Sequence, residues 1–152
     1  MENVGQVPAI GIWIDPQCYV TSPIKPPAIE ERKRICKEIV QRKPDLGNVA
    51  FPGRPVLQRY TISASASEIE ACNRAIFGNA GAVNRLYGMN IIVAVAYRAG
   101  FDLNAPYYTA LIYDLYRNDP SRTTYTLLPI GESVPKELLL LFLSPVGGIV
   151  AE

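Results

Sequence analysis

The sequence predicts an α+β fold, with one domain over residues 1–152 that contains a mixed sheet of about five strands and three or four helices. Two observations support this prediction. Hydrophobic residues make up 49% of the 152 residues and charged residues only 19%, a balance typical of a chain with a packed core. Stretches rich in β-branched residues also alternate with stretches in which apolar residues recur every three or four positions.

The first two strands are predicted near the N-terminus. Ala9–Ile14 and Tyr19–Ile24 are short and apolar, and Asp15–Cys18 between them fits a type I turn, with aspartate first and proline second. Pro23 places the second of these strands at an edge of the sheet, because proline has no backbone N–H to donate.

Two helices are then predicted. Ala28–Lys43 has an apolar stripe, glutamates in its first turn and basic residues in its last, and Pro44 ends it. The second helix, roughly Ser65–Gly88, opens with two overlapping capping boxes of the form Ser-x-x-Glu. Two glycines within it predict a kink or break near Asn79.

Met89–Phe101 contains the longest β-branched run and is predicted to be the central strand. Its odd-numbered residues are bulky and its even-numbered residues are mostly small. We expect the bulky face to lie in the core and the small face to allow close approach of a helix or a second subunit. Val56–Ser63, the second helix and Asn90–Arg98 together predict a parallel βαβ unit over about residues 56–98.

The last third of the chain contains one ambiguous segment. Asp102–Asp119 has a helical apolar stripe, but its second half also fits the first strand of a hairpin with residues 122–128. We favour the helix. Thr123–Ile130 is predicted to be a strand under either interpretation, and Pro135–Leu143, which is apolar all round, is predicted to be a final buried helix.

Several kinds of protein are disfavoured by the composition. The chain has no histidine, which excludes Ser-His-Asp triads and histidine-ligated metal sites. Its three cysteines form no C-x-x-C pair, which predicts a reduced, cytoplasmic setting. No apolar run is long enough to span a bilayer, so we expect a soluble protein with no membrane partner. No cofactor or metal is predicted.

The segment from Lys25 to Arg59 is locally basic, with nine positive and four negative residues in a chain of net charge +1. Such a patch, including Arg54 and Arg59, could contact phosphates of an anionic ligand or nucleic acid. The alternative is a solvated helix face with internal ion pairs, and we favour that alternative.

The best candidate ligand site lies at the end of the central strand, where Tyr97, Arg98 and Asp102 follow one another closely. If Tyr97 points inward, Arg98 points to the opposite face near the strand's carboxyl end, where ligands commonly bind in parallel sheets. The favoured alternative is an Arg98–Asp102 pair that only fixes a loop.

The function predicted from these observations is that of a non-enzymatic structural or interaction subunit that forms homo-oligomers. The prediction depends on two apolar segments, residues 1–14 and 144–152, which are expected to be extended and to reach a neighbouring copy. The first alternative is a small binding domain for an anionic ligand or nucleic acid that uses the basic helix together with arginine and tyrosine residues. The second is a histidine-free lyase or isomerase with a pocket at a subunit interface.

Overall fold

The computed structural model describes residues 7–21, 28–42, 49–55, 57–78, 85–121, 124–145 and 150–151. Within these ranges the chain forms two α-helices and eight β-strands. The helices are α1 (Ala28–Val40) and α2 (Ala66–Phe77), and a 3-10 turn covers Lys136–Leu138. The strands are β1 (Ala9–Thr21), β2 (Val49–Ala50), β3 (Leu86–Ala99), β4 (Asp102–Asp119), β5 (Thr124–Thr126), β6 (Leu128–Pro129), β7 (Leu139–Leu143) and β8 (Val150–Ala151).

The strands form one sheet in the order β2-β1-β3-β4-β5, with β6 paired to β3 and with β7 and β8 paired to β4. The predicted α+β class and the approximate strand number agree with this sheet, but the helices are fewer than predicted. The mixed sheet and the parallel βαβ unit over about 56–98 are wrong. Every strand pairing in the described ranges is antiparallel, and residues 57–63 form no strand.

The segment Asp102–Asp119 is a strand, β4, so the favoured helix is wrong. The hairpin alternative is correct in part, because only residues 117–119 of β4 pair with residues 124–126. β4 turns back into β5 and pairs with β3 over most of its length. Its apolar residues fall on both sides of the sheet, where Ile112 faces α1 and Leu111 faces away from it. A strand that is apolar on both faces lacks the polar alternation that distinguishes a strand from a helix.

β1 is one continuous strand, so the two short strands with a turn at Asp15–Cys18 are wrong. Pro16 is opposite Val93 of β3, and β2 pairs only with the first two residues of β1. In the described part of the chain, no strand pairs with the outer edge of β1 around Pro16. A proline is tolerated there because its missing N–H faces an unpaired edge.

The covered face of the sheet is its small face. Ile92, Ala94, Ala96, Ala110 and Ile112 are all at most 4% exposed and pack against α1. The expectation that the bulky residues of the central strand lie in the core is wrong. The expectation that the small face admits a helix is confirmed, because alanines let the helix approach the sheet closely.

α1 contributes the other half of this core through Ile35, Cys36 and Ile39. The structure ends α1 at Val40, three residues before the predicted end, and Lys43 lies outside the described residues. Acidic residues in the first turn and Lys37 in the last agree with the helix dipole.

α2 begins with the capping box predicted at Ser65. The Ser65 hydroxyl accepts the N–H of Glu68 at 3.2 Å, and the Ser65 N–H donates to the Glu68 carboxylate at 3.3 Å. The helix ends at Phe77, close to the predicted break, and Gly78 follows with a φ of 55° that favours glycine. Its continuation to Gly88 is wrong, because β3 has already begun at Leu86.

The apolar segment Pro135–Leu143 is a 3-10 turn followed by β7, so the predicted final helix is wrong. Of the two predicted extended segments, residues 9–14 belong to β1, and Val150–Ala151 forms β8 on the chain's own β4. Residues 1–6, 146–149 and 152 lie outside the described residues.

The core beneath α1 gives a direct test of this packing. Replacing Ile39, which is 1% exposed, by alanine is expected to lower the free energy of unfolding by about 3 kcal/mol. The matched control is Ile76→Ala in α2, where the isoleucine is 37% exposed and the expected loss is less than about 1 kcal/mol. Urea unfolding measures both values. Equal losses would contradict the packing of α1 on the sheet.

Candidate interaction surface

The three residues of the predicted ligand site at the end of the central strand do not converge on one point. Tyr97 is paired with Tyr107 across β3 and β4, and their rings stack with centroids 5.8 Å apart. Arg98 belongs to the opposite face of β3, opposite Pro106. The carboxylate of Asp102 accepts the backbone N–H groups of Asn104 at 3.0 Å and Ala105 at 3.2 Å.

Asp102 therefore fixes the turn that joins β3 to β4. No ion pair or hydrogen bond within the described ranges joins Arg98 to Asp102, so the carboxylate fixes this turn without the predicted Arg98–Asp102 pair. Tyr97 and Arg98 lie on opposite faces, as adjacent residues of a strand must, and this agrees with the prediction that they diverge.

The other two candidate arginines lie before α2. Arg54 closes a turn in which its N–H donates to the carbonyl of Phe51 at 3.1 Å, with Gly53 at a φ of 68°. Arg59 lies in the exposed, non-helical segment that leads to α2. The structure gives no contact between Arg54, Arg59 and Arg98 within the described residues, so it does not assemble them into one site.

The basic helix carries its own counter-charges. Arg34 forms ion pairs with Glu31 and Glu38, and Lys33 pairs with Glu30 at 3.1 Å. The hydrogen bonds that the Arg34 guanidinium donates to the carboxylates of Glu31 and then Glu38 raise the pKa of Arg34. These exposed pairs contribute little stability, but they reduce the net charge that the helix presents. Binding of an anionic ligand or nucleic acid stays a prediction.

One cavity of about 240 Å³ lies between the start of α1 and the sheet. Its polar lining includes Asn90, Asp114 and Ser144, and the Asn90 amide donates to the Asp114 carboxylate. In the described part of the chain, no buried side-chain nitrogen or oxygen lacks a hydrogen-bond partner. The cavity thus holds no unpaired buried group that would indicate a particular ligand.

The sheet face opposite α1 is an extended surface of mostly apolar residues. Fifteen uncharged residues from four adjacent strands share this side of the sheet by register. The same side also holds Arg117, opposite Leu139 at one rim, and Met89 and the buried Val20 at one end. None of the fifteen is buried, although the covered face beneath α1 is closed. We call this surface the open face; its residues are Ile14, Pro16 and Cys18 of β1, Ile91, Val93, Val95 and Tyr97 of β3, Tyr107, Thr109, Leu111, Tyr113 and Leu115 of β4, and Leu139, Leu141 and Leu143 of β7.

The two helices do not close this face. α1 packs on the covered face, and α2 is held at one end of the sheet, where the Asn73 amide donates to the Leu86 carbonyl at 2.9 Å and the Cys72 thiol contacts the Thr21 carbonyl. The buried cluster found among the described residues lies wholly on the α1 side. The open face is therefore an apolar surface without a matching layer in the described chain.

The described residues contain neither a cluster of metal ligands nor a helix that could span a membrane. No group of three or more cysteine, aspartate or glutamate side chains is arranged to hold a metal ion there. Across the same ranges, no helix has both the length and the apolar character needed to cross a bilayer.

Comparisons with known proteins give no independent assignment. No protein-family model, curated protein or solved structure matches this chain. The function is therefore inferred from the chain's own surfaces.

The sequence contained a signal for the open face that the predicted elements obscured. The bulky odd-numbered residues of β3 were assigned to the core on size alone. The correct pairing of β4 with β3 places Leu111 and Tyr113 beside them, but the favoured helix for this segment removed that pairing. A strand prediction for residues 102–119 would have shown two adjacent strands with apolar residues on both faces.

The role of Asp102 is open to a direct test. Asp102→Ala removes the acceptor for two backbone N–H groups and is expected to lower the free energy of unfolding by about 1 kcal/mol. Asp102→Asn keeps an acceptor oxygen and is expected to retain more than half of that stability. Chemical denaturation measures both. Unchanged stability in the alanine variant would contradict the turn-fixing role.

Proposed function

We propose that this chain is a non-enzymatic structural subunit that associates with copies of itself through the open face. The observation that carries the proposal is the contrast between the two sides of one sheet. One side is sealed by α1, and the other presents fifteen uncharged residues of which none is buried.

The open face is large for a surface that stays in water. The fifteen residues extend over five, seven, nine and five positions of the four strands, which at about 3.4 Å per residue and about 4.8 Å between strands gives roughly 420 Å² in flat projection. The largest apolar patch on an ordinary monomer is about 300–600 Å², and patches of that size commonly mark interaction sites. Because the open face reaches this range and its one charged neighbour, Arg117, lies at the rim, its burial is favoured.

A second copy is the occupant that best fits this face. The fifteen residues are uncharged, and the one charge on the same side, Arg117 at the rim, is paired with Glu132, so the face offers little to attract a basic or acidic partner. An identical face supplies apolar surface of the same extent. Two sheets stack face to face at about 10 Å, and a two-fold axis between them makes each patch contact its own equivalent. The stacked pair would resemble a β-sandwich whose two layers come from two chains.

A charge at the centre of the open face tests the proposal. Leu111→Glu is expected to at least halve the number of chains per particle, because a carboxylate buried between two apolar sheets is not solvated. The control is Leu57→Glu, at a leucine that is 88% exposed and outside the open face, which should leave the number unchanged. Light scattering gives the mass, and circular dichroism confirms the fold.

Two results would contradict the proposal. The first is an unchanged particle mass in Leu111→Glu. The second is loss of the folded state in that variant, which would show that the open face is closed within one chain.

Cys18 provides an independent readout of the same face. Cys36 and Cys72 are buried, whereas Cys18 is only partly covered, and its partial burial raises the pKa of its thiol above the ordinary 9.0. The reactive thiolate is therefore scarcer at pH 8 than in the unfolded chain, and labelling should accelerate as the pH rises beyond 9.0.

In the associated protein we expect Cys18 to be labelled by a maleimide at least ten times more slowly than in Leu111→Glu, because the second sheet covers it. Cys18→Ser supplies the background rate. Equal rates in the wild type and Leu111→Glu would show that the face is not occluded.

A further inference from the structure

We propose that β7 pairs edge to edge with β7 of another copy, antiparallel and centred on Leu141. This inference rests on the proposed function in one respect, that the partner is a second copy of the chain. It uses a different surface, the outer edge of the sheet, and a different interaction, the backbone hydrogen bonds of that edge.

The outer edge of β7 has no strand partner within the described ranges. β7 pairs with β4 from Leu143 opposite Tyr113 to Leu139 opposite Arg117. Just beyond it, the N–H of Ser144 donates inward to the carbonyl of Ile112 at 2.8 Å. Because successive backbone groups of a strand point in opposite directions, the even-numbered residues bond β4, and the odd-numbered residues direct their N–H and C=O groups outward.

This edge lacks the features that keep a sheet edge from pairing with another chain. Such edges usually carry a charge, a proline or a bulge, or are very short. β7 has five residues, Leu-Leu-Leu-Phe-Leu, and Leu141, Phe142 and Leu143 are 50%, 43% and 48% exposed. The edge strand β2, at the other side of the sheet, differs from β7. It is only two residues long and is soon followed by Pro52 and Gly53.

A second β7 is the partner that this edge fits best. With the pairing centred on Leu141, Leu141 is opposite its own equivalent, Leu139 is opposite Leu143, and Leu140 is opposite Phe142. Every position then places an apolar residue opposite an apolar residue, which is the favourable arrangement for cross-strand pairs. The same register keeps the open faces of both copies on one side of the joined sheet.

Neighbouring registers are worse for specific reasons. A shift by two residues in one direction places the Glu137 carboxylate opposite Leu143. A shift in the other direction places Pro145 opposite Leu139, and proline has no N–H to donate. The sequence around β7 thus selects the register centred on Leu141.

The hydrogen bonds of this pairing can be counted. The N–H of Leu139 already donates to the carbonyl of Lys136 at the end of the 3-10 turn. The free outward groups form four bonds. Two join the Leu141 N–H of each copy to the Leu141 carbonyl of the other, and two join the Leu143 N–H of each copy to the Leu139 carbonyl of the other.

The two contacts together define an assembly. The two-fold axis of the edge contact is perpendicular to the plane of the sheet. The two-fold axis of the open-face contact lies in a plane parallel to the sheet, midway between the two stacked sheets. Two perpendicular two-fold axes that meet generate a closed assembly of four chains, one of the common symmetries of oligomers. Each pair of β7 strands would then join two sheets into one continuous layer on each side of the assembly.

The test uses two substitutions at the same residue. Leu141→Pro removes an outward N–H without breaking the inward ladder to β4, whereas Leu141→Thr removes the leucine side chain but keeps that N–H. We expect particles of four chains for the wild type and Leu141→Thr, two for Leu141→Pro, two for Leu111→Glu, and one for the double variant Leu141→Pro/Leu111→Glu. Sedimentation equilibrium measures the mass, and circular dichroism confirms the fold.

The other possible results either overturn the edge pairing or separate it from the open-face contact. An unchanged particle in Leu141→Pro, an equal loss in Leu141→Thr, or unfolding of Leu141→Pro would overturn the edge pairing. If Leu141→Pro halves the particle while Leu111→Glu does not change it, the edge contact stands and the proposed role of the open face fails.

Discussion

The structure depends on the close packing of α1 against the alanine-lined side of the sheet. Ala94, Ala96 and Ala110 present little more than the backbone, so Ile35 and Ile39 of α1 reach the sheet directly and close one face. The same alternation directs the larger side chains to the opposite side, because neighbouring residues of a strand point to opposite faces. Closing the small face therefore leaves the bulky face open, and the two helices of the described chain do not cover it.

The surfaces of the chain indicate its function more clearly than its reactive side chains do. Asp102 is engaged in a turn, the acids of α1 pair with its basic residues, and the cavity near α1 contains a hydrogen-bonded Asn90–Asp114 pair. The candidate ligand residues are thus either engaged in structure or separate from one another. A largely apolar face and an apolar free edge, in contrast, are features that a subunit uses and an isolated monomer avoids.

The sequence predicted the parts of the fold that depend on local signals. Ser65 and Glu68 form the capping box, α1 has its dipole-compatible ends, and the small face of β3 lies against a helix. It failed where burial depends on distant strands. Residues 102–119 and 135–143 are apolar on both faces, so their spacing fits a helix equally well, and only their pairing with β3 and β4 decides. For the same reason the open face, which is built from four strands, was not foreseen.

Occupation of the open face by a second copy of the chain requires the protein to associate in solution. Sedimentation equilibrium of the wild type beside Leu111→Glu over a range of concentrations measures this, since the chain mass is 16.7 kDa. We expect a mass of at least two chains at micromolar concentration, with dissociation only on dilution, and a mass at most half as large for Leu111→Glu. A mass of one chain at every concentration, with Cys18 freely reactive, would contradict it.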